Sequence, residues 1–346
     1  MGVSVISKFK DGRVSMILFK RKLLLVTVAA CLLVMCASAA RAFQEKSEKK
    51  KKGMPAGTPV LWQEPQDIAS RNLFLGSGGA RMRPNVRRLT FIKEEKGGWS
   101  KKYRVRDAAG RVWVAKIGKE AQSETASTRL LWAAGYMTEI TYLVPRVRIP
   151  GKGVFENVRF EARPAGVERE GAWEWEQNPF VGTRELQGLK VLMVLLNNWD
   201  TKDENNVLLA VPSGNGTELR YAISDLGATL GDTGKWPLLW RFTRSRNDPR
   251  GFRGDKLIDE IKEDGRVDFE FSGKKRGMFN DITVEQAQWI GQLLSRLSDR
   301  QIADAFRAAN YRPAEVRTLS RAVRARINEL ANLRRGGQVS QKSVER

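Results

Sequence analysis

Asp200-Thr201-Lys202-Asp203-Glu204-Asn205-Asn206 follows an apolar run, and Ser224-Asp225-Leu226-Gly227 follows a hairpin-like pattern downstream of it. The run before the first stretch, Arg184 to Asn197, places Leu186, Leu189, Leu192, Met193 and Leu196 on one face at helical spacing. The hairpin pattern runs from Asn206-Val207-Leu208-Leu209, through a loop at Pro212 to Gly216, into Tyr221-Ala222-Ile223-Ser224. Carboxylates and an amide are thereby presented on loops at the ends of rigid elements. Such oxygen donors suit a hard divalent cation and the orientation of a hydroxyl for phosphoryl transfer. Read singly, each stretch is also an ordinary turn.

Upstream the pattern is β. Leu89-Thr90-Phe91-Ile92, Lys102 to Arg106 and Val112 to Ile117 read as strands, separated by Lys96-Gly97-Gly98-Trp99-Ser100 and Ala109-Gly110. Ser123 is the expected N-cap of a helix to Ala134, with Ala126, Leu130, Leu131 and Ala134 on one face. Tyr142 to Ile149 and Val158 to Ala162 add two strands, and Pro164-Ala165-Gly166 ends the pattern. Beyond it the chain is mostly helical. Residues 228–282 are rich in Gly, Arg and Trp and read as irregular. Thr283 with Gln286 and Ser298 with Gln301 are capping boxes, and Pro313 suits the first turn of a last helix to about Leu333. The fold class is α+β, with a five-strand antiparallel lobe and one helix over 87–163, a mainly helical lobe over 164–310, and a C-terminal helix and basic tail over 311–346. No internal repeat is visible.

These elements and motifs resemble the protein-kinase-like superfamily over roughly residues 87–310. The family's D-x-K-x-x-N is Asp200-x-Lys202-x-x-Asn205, its D-F-G is Asp225-Leu226-Gly227, and Val114-Ala115-Lys116 matches a usual variant of its V-A-x-K strand. Glu124 is the expected helical partner of Lys116, with Glu120, placed before the expected cap, as the fallback. The resemblance implies a two-lobed fold that uses ATP or another nucleotide with Mg²⁺. It makes Asp200 the acceptor of the attacking hydroxyl's proton and has Lys202 steady the phosphoryl group. Asn205 and Asp225 would ligate Mg²⁺, and Lys116, paired with Glu124, would contact the α- and β-phosphates. The departures are specific. H-R-D is Asn198-Trp199-Asp200, so no arginine is present to clamp an activation-loop phosphate; the glycine loop is reduced to Gly97-Gly98-Trp99; and no A-P-E follows Asp225. The pattern is closer to atypical, lipid-kinase-like or secreted kinase-like proteins, and is similar to exported bacterial proteins with N-W-D-x-K-x-x-N-N and D-L-G-A.

Composition narrows the chemistry. The chain has no histidine, which excludes Ser-His-Asp and Cys-His catalysis and the usual His-containing metal sites. Net charge is +22, and +16 once residues 1–42, with seven basic residues and one acidic one, are set aside. Such a chain attracts polyanions, but no zinc-finger spacing or stacking motif gives a specific nucleic-acid signal. Lys20-Arg21-Lys22, the apolar run Leu23 to Met35 and Ala40-Arg41-Ala42 form a secretory signal over 1–42, with Met1 or Met16 as its start. Val28-Ala29-Ala30-Cys31 also resembles a lipobox, although Leu32 to Met35 continues the apolar run past Cys31. Both cysteines, Cys31 and Cys36, fall in this segment. Residues 43–60, with Lys49 to Lys52, read as a disordered tether, and 61–86 as an extension. The glycines of Leu73-Phe74-Leu75-Gly76-Ser77-Gly78-Gly79 suit either a phosphate cradle or a plain turn.

The sequence therefore predicts an exported kinase-like protein that transfers a phosphoryl or nucleotidyl group to a protein, lipid or glycan acceptor. Two readings compete with it. One is a pseudokinase whose basic residues, including Arg241, Arg244, Arg246, Arg250 and Arg253, dock an anionic envelope polymer or lipid. The other is a structural envelope protein. Trp173, Trp175, Trp236 and Trp240 suit either a substrate groove or packing.

Overall fold

A computed structural model describes residues 55–97, 100–214, 216–234 and 243–334. The signal segment with Cys31 and Cys36, most of the tether, Gly98, Trp99, Trp236, Trp240, Arg241 and the tail from residue 335 lie outside the described residues.

Alternation along the strands sorts one sheet into two unlike faces. Strands β2 (Thr90–Glu95), β3 (Lys101–Arg106), β4 (Val112–Ile117), β5 (Thr141–Ile149) and β6 (Gly153–Ala162) form an antiparallel sheet in the order β2-β3-β4-β6-β5. Trp113 and Ala115 of β4 join Val158, Phe160, Tyr103 and Val105 in one apolar layer, closed over by Met82, Val86 and Leu89. The opposite face carries Lys116, Arg159 and Glu161, all buried. Helix α1 (Glu120–Ala133) covers this charged side, while its Ala126, Leu130 and Leu131 enter the larger core of the second lobe. The expected five-strand lobe with one helix, followed by a helical part, is present.

The helix start differs from expectation. α1 begins at Glu120, and Ser123 is buried within it. Ser123 Oγ donates to Glu120 O and Gly227 O, both at 3.1 Å, so its hydroxyl ties the helix to the second lobe rather than capping it. Strand β6 also starts earlier than expected, because its first residues pair with the end of β5, Gly153 against Ile149.

The second lobe is built around α2 (Arg184–Leu195), whose residues from Leu186 to Leu195 are all buried. Thr183 caps it by accepting from Leu186 N, and Asn197 ends it in the left-handed region at φ 53°. Helices α4 (Val284–Ser295), α5 (Asp299–Ala308) and α6 (Pro313–Ala331) complete the core, and both capping boxes form as expected. β8 (Asn206–Ser213) and β9 (Gly216–Ile223) make the hairpin. They lie in a second sheet, β1-β9-β8-β7, with β1 (Thr58–Val60) parallel to β9 and β7 (Glu168–Gly171) on the other edge. The last three residues of the expected tether are thus a strand. The stretch expected to be irregular holds a short helix, α3 (Pro249–Gly254), and a hairpin of β10 (Ile258–Ile261) and β11 (Val267–Phe269). Trp173 and Trp175 are buried edge-to-face against each other, 4.9 Å apart, and are packing residues.

Candidate active site

Cross-strand register puts two cations side by side. Lys116 of β4 faces Arg159 of β6, and both point toward α1. Like charges directly opposite one another repel, and Glu124 relieves the conflict. Lys116 Nζ lies 2.9 Å from Glu124 Oε2, and Arg159 Nη2 lies 3.0 Å from Glu124 Oε1. Glu120, one helical turn earlier, also reaches Lys116, at 3.1 Å. Glu120 and Glu124 therefore act together on Lys116; the fallback partner is a second partner. Glu120 further accepts from Ser100 Oγ at 2.6 Å and pairs with Arg246.

The third carboxylate on Lys116 comes from the other lobe. Asp225 Oδ1 stands 3.2 Å from Nζ and accepts Gly227 N at 2.9 Å. A Cβ at Gly227 would lie 2.9 Å from Glu120 Cβ and 3.0 Å from Asp225 Oδ1, so glycine is needed there to let both acids approach the lysine. Burial opposes the Lys116 charge, but Glu124, Asp225 and Glu120 outweigh it and hold the ammonium well above the usual lysine range. Burial likewise opposes the Asp225 charge, and Lys116 with the Gly227 amide outweighs it, so the carboxyl titrates below its ordinary value. Glu124 is fully enclosed. Burial pushes its carboxyl up to about 7 against the pull of Arg159 and Lys116.

The Asp200 loop is fixed by the elements around it. Asn197 Nδ2 donates to Gly231 O and Asp255 Oδ2, both at 2.7 Å, and its Oδ1 accepts from Arg326 at 2.8 Å. Asn205 Nδ2 donates to Asp200 O, while Asn205 O accepts the backbone amides of Ser224 and Asp225 at 2.8 and 3.0 Å. The two stretches that decide the fold are thus hydrogen-bonded to each other. Asp200 carries two lysines, Lys274 at 2.6 Å and Lys202 at 3.5 Å. Lys202 accordingly sits beside Asp200, half exposed. Lys274 comes from the region expected to be irregular and had no motif to mark it.

Trp199 occupies the position of the family's arginine. Its ring lies under Arg244 at 5.1 Å and Arg246 at 4.8 Å, and its Nε1 donates to Ser245 O at 2.9 Å. The segment after Asp225 is therefore held by its own arginines stacked on the tryptophan of the Asp200 loop, a reversal of the arginine-to-phosphate clamp. Both arginines are half-buried and engaged within the chain, Arg246 with Glu120 and Arg244 with Thr233 O, whereas Arg250 and Arg253 are exposed. A cavity of about 520 Å³ opens beside Glu120, lined by Ser100, Lys101, Lys119, Arg244 and Arg246.

The donor chemistry fits Mg²⁺. Asn205 uses its amide nitrogen on Asp200 O, which leaves Oδ1 as an acceptor, and Asp225 adds a carboxylate kept ionised. Among the described residues no group of three His, Cys, Asp or Glu is gathered as a metal centre, so a cation held by Asn205 and Asp225 would need further ligands such as phosphate and water.

No protein-family model matches the chain, and no curated protein matches it. Among solved structures it is similar to the crystal structure of a Helicobacter pylori proinflammatory kinase, CtkA, at 11% identity over 70% of this chain and 91% of that chain, with a TM-score of 0.41. A likeness that remote adds no weight to any residue's role. The chain's own strand order, the helix laid over the charged face of the sheet and the lysine that joins both lobes agree with the two-lobed, kinase-like fold that the sequence resemblance implies.

Proposed function

We propose that the chain is an exported Mg-nucleotide-dependent phosphotransferase acting on a hydroxyl-bearing protein, lipid or glycan. The observation that carries this reading is the Lys116 ammonium held by Glu120 and Glu124 of one lobe and Asp225 of the other. Three carboxylates around one lysine use all three of its N–H donors and fix its position, so a nucleotide phosphate would take the donor that Asp225 holds and free that carboxylate for Mg²⁺. Lys116 would orient the α- and β-phosphates of the nucleotide. Asn205 and Asp225 would hold Mg²⁺, which supplies neutralisation of charge on the transferring phosphates. Asp200 would accept the proton of the acceptor hydroxyl, and Lys202 would steady the transferred group. The cations around the 520 Å³ cavity suit the phosphate end of the substrate.

A second reading is favoured by the Lys274 ion pair, which occupies the Asp200 carboxylate. On that reading the protein binds nucleotide without transferring phosphate and serves as a basic docking module. Incubation of the full chain with γ-labelled ATP and Mg²⁺, followed by mass spectrometry of the protein and nucleotide, separates the two. Autophosphorylation or ADP release that Asp200→Asn abolishes supports transfer. Nucleotide binding with neither product supports the docking module.

A further inference from the structure

Arg129 is a buried charge without a counter-charge. The residue is 1% exposed, and its Nη2 donates to Thr141 O at 2.6 Å. Among the described residues its Nε makes no hydrogen bond and no carboxylate pairs with it; its Cζ lies 5.4 Å from the centre of the Tyr142 ring. An unpaired buried ion is costly to keep. The other deeply buried arginines differ: Arg159 meets Glu124 and Glu161, and Arg326 is hydrogen-bonded to carbonyls of Leu195, Phe252 and Asp255.

The turn over Arg129 is shaped to fit it. A Cβ at Gly76 would lie 2.2 Å from Arg129 Nη1 and 2.3 Å from Cζ, and Gly76 has φ 68°. A Cβ at Gly78 would lie 2.3 Å from the Tyr142 hydroxyl, which donates to Gly79 O at 2.6 Å. The glycine cluster is thus a close-fitting wall around a guanidinium and a phenol. Arg129 also lines a cavity of about 450 Å³, within the range of small-molecule sites of roughly 300–1,000 Å³. Arg83 and Arg146 stand exposed at its rim, and its apolar lining includes Phe74, 44% exposed, with Leu75 and Pro145. Among the described residues no acidic side chain lines it.

We propose that this cavity binds a small amphiphilic anion, with a carboxylate or phosphate-monoester head on Arg129 and an apolar body against Phe74, Leu75 and Pro145. Three cations without an acid define the head site, and the exposed aromatic ring gives the body a surface to cover. The site shares none of its lining residues with the Lys116–Asp225 cluster, so the proposal stands apart from nucleotide chemistry.

The test is calorimetric titration of the full chain with octanoate, octyl phosphate and octanol at submicellar concentration, at low and high salt. The expected result is binding of an anion but not of octanol, weakened by salt. The tighter of the two anions identifies the head group. Arg129→Met should abolish the binding, and the pair Arg83→Ala with Arg146→Ala should weaken it by about tenfold or more. Absence of binding by both anions, equal binding of octanol, or affinity unchanged in these variants would overturn the proposal. If Arg129→Met does not fold, the rim variant decides the matter.

Discussion

Lys116 Nζ stands 3.2 Å from Asp225 Oδ1, across 109 residues of chain and between the two lobes. Glu124 holds the same ammonium from the helix side at 2.9 Å. Removing the lysine should therefore do two things. Lys116→Met should abolish Mg-nucleotide binding, and it should destabilise the fold by about 3 kcal/mol, because Glu124 and Asp225 lose a shared cation. Urea denaturation of the nucleotide-free protein reads the second effect separately from the first.

Asp200→Asn keeps the shape of the loop and removes the proton acceptor. Transfer should fall by about 10²–10⁴-fold, the usual contribution of a general base, while nucleotide affinity stays the same. A matching loss of affinity would assign Asp200 to binding instead.

Glu124 gives the pH dependence a definite sign. Its carboxyl is raised by burial to about 7 from an ordinary value of 4.5. The folded state then retains a proton that the unfolded state releases, so ionising Glu124 costs stability as pH rises through that interval. The stability of the wild type relative to Glu124→Gln should decline between pH 4.5 and 7 and level off above. Urea melts of both proteins at pH 5, 6, 7 and 8 check this, and a constant difference would show that Glu124 is ionised throughout.

Gly227→Ala should act on the site without touching the nucleotide. The added methyl meets Glu120 and Asp225 Oδ1. Overpacking of this kind costs about 1–3 kcal/mol, and displacement of Asp225 should weaken Mg-nucleotide binding by about tenfold or more. Titration calorimetry on the variant measures it directly.

Legibility in the sequence followed the range of the interaction. The five strands and α2 were readable because burial imposes a period on neighbouring residues, as in Leu186, Leu189 and Met193. The Lys116 and Asp225 stretches were readable because spacing along the chain carries their order. Arg159 and Lys274 were not, since their place beside Glu124 and Asp200 is set by strand register and by a long-range loop contact. Ser123 misled because a serine before an apolar helical face looks like a cap, whereas its hydroxyl binds Gly227 across the lobes. Thr58–Val60 has too few residues for any period and is ordered by its parallel pairing with β9.

The central claim is a working Mg-nucleotide site between Lys116 and Asp225. The most direct measurement is a thermal unfolding titration of the full chain with ATP, with and without Mg²⁺, in wild type and Asp225→Asn. A ligand at ~100 times its dissociation constant stabilises by ~2.7 kcal/mol. The account predicts a shift that requires Mg²⁺ in the wild type and is absent in Asp225→Asn. No shift in the wild type, or one that survives without Mg²⁺ and in the variant, would contradict it.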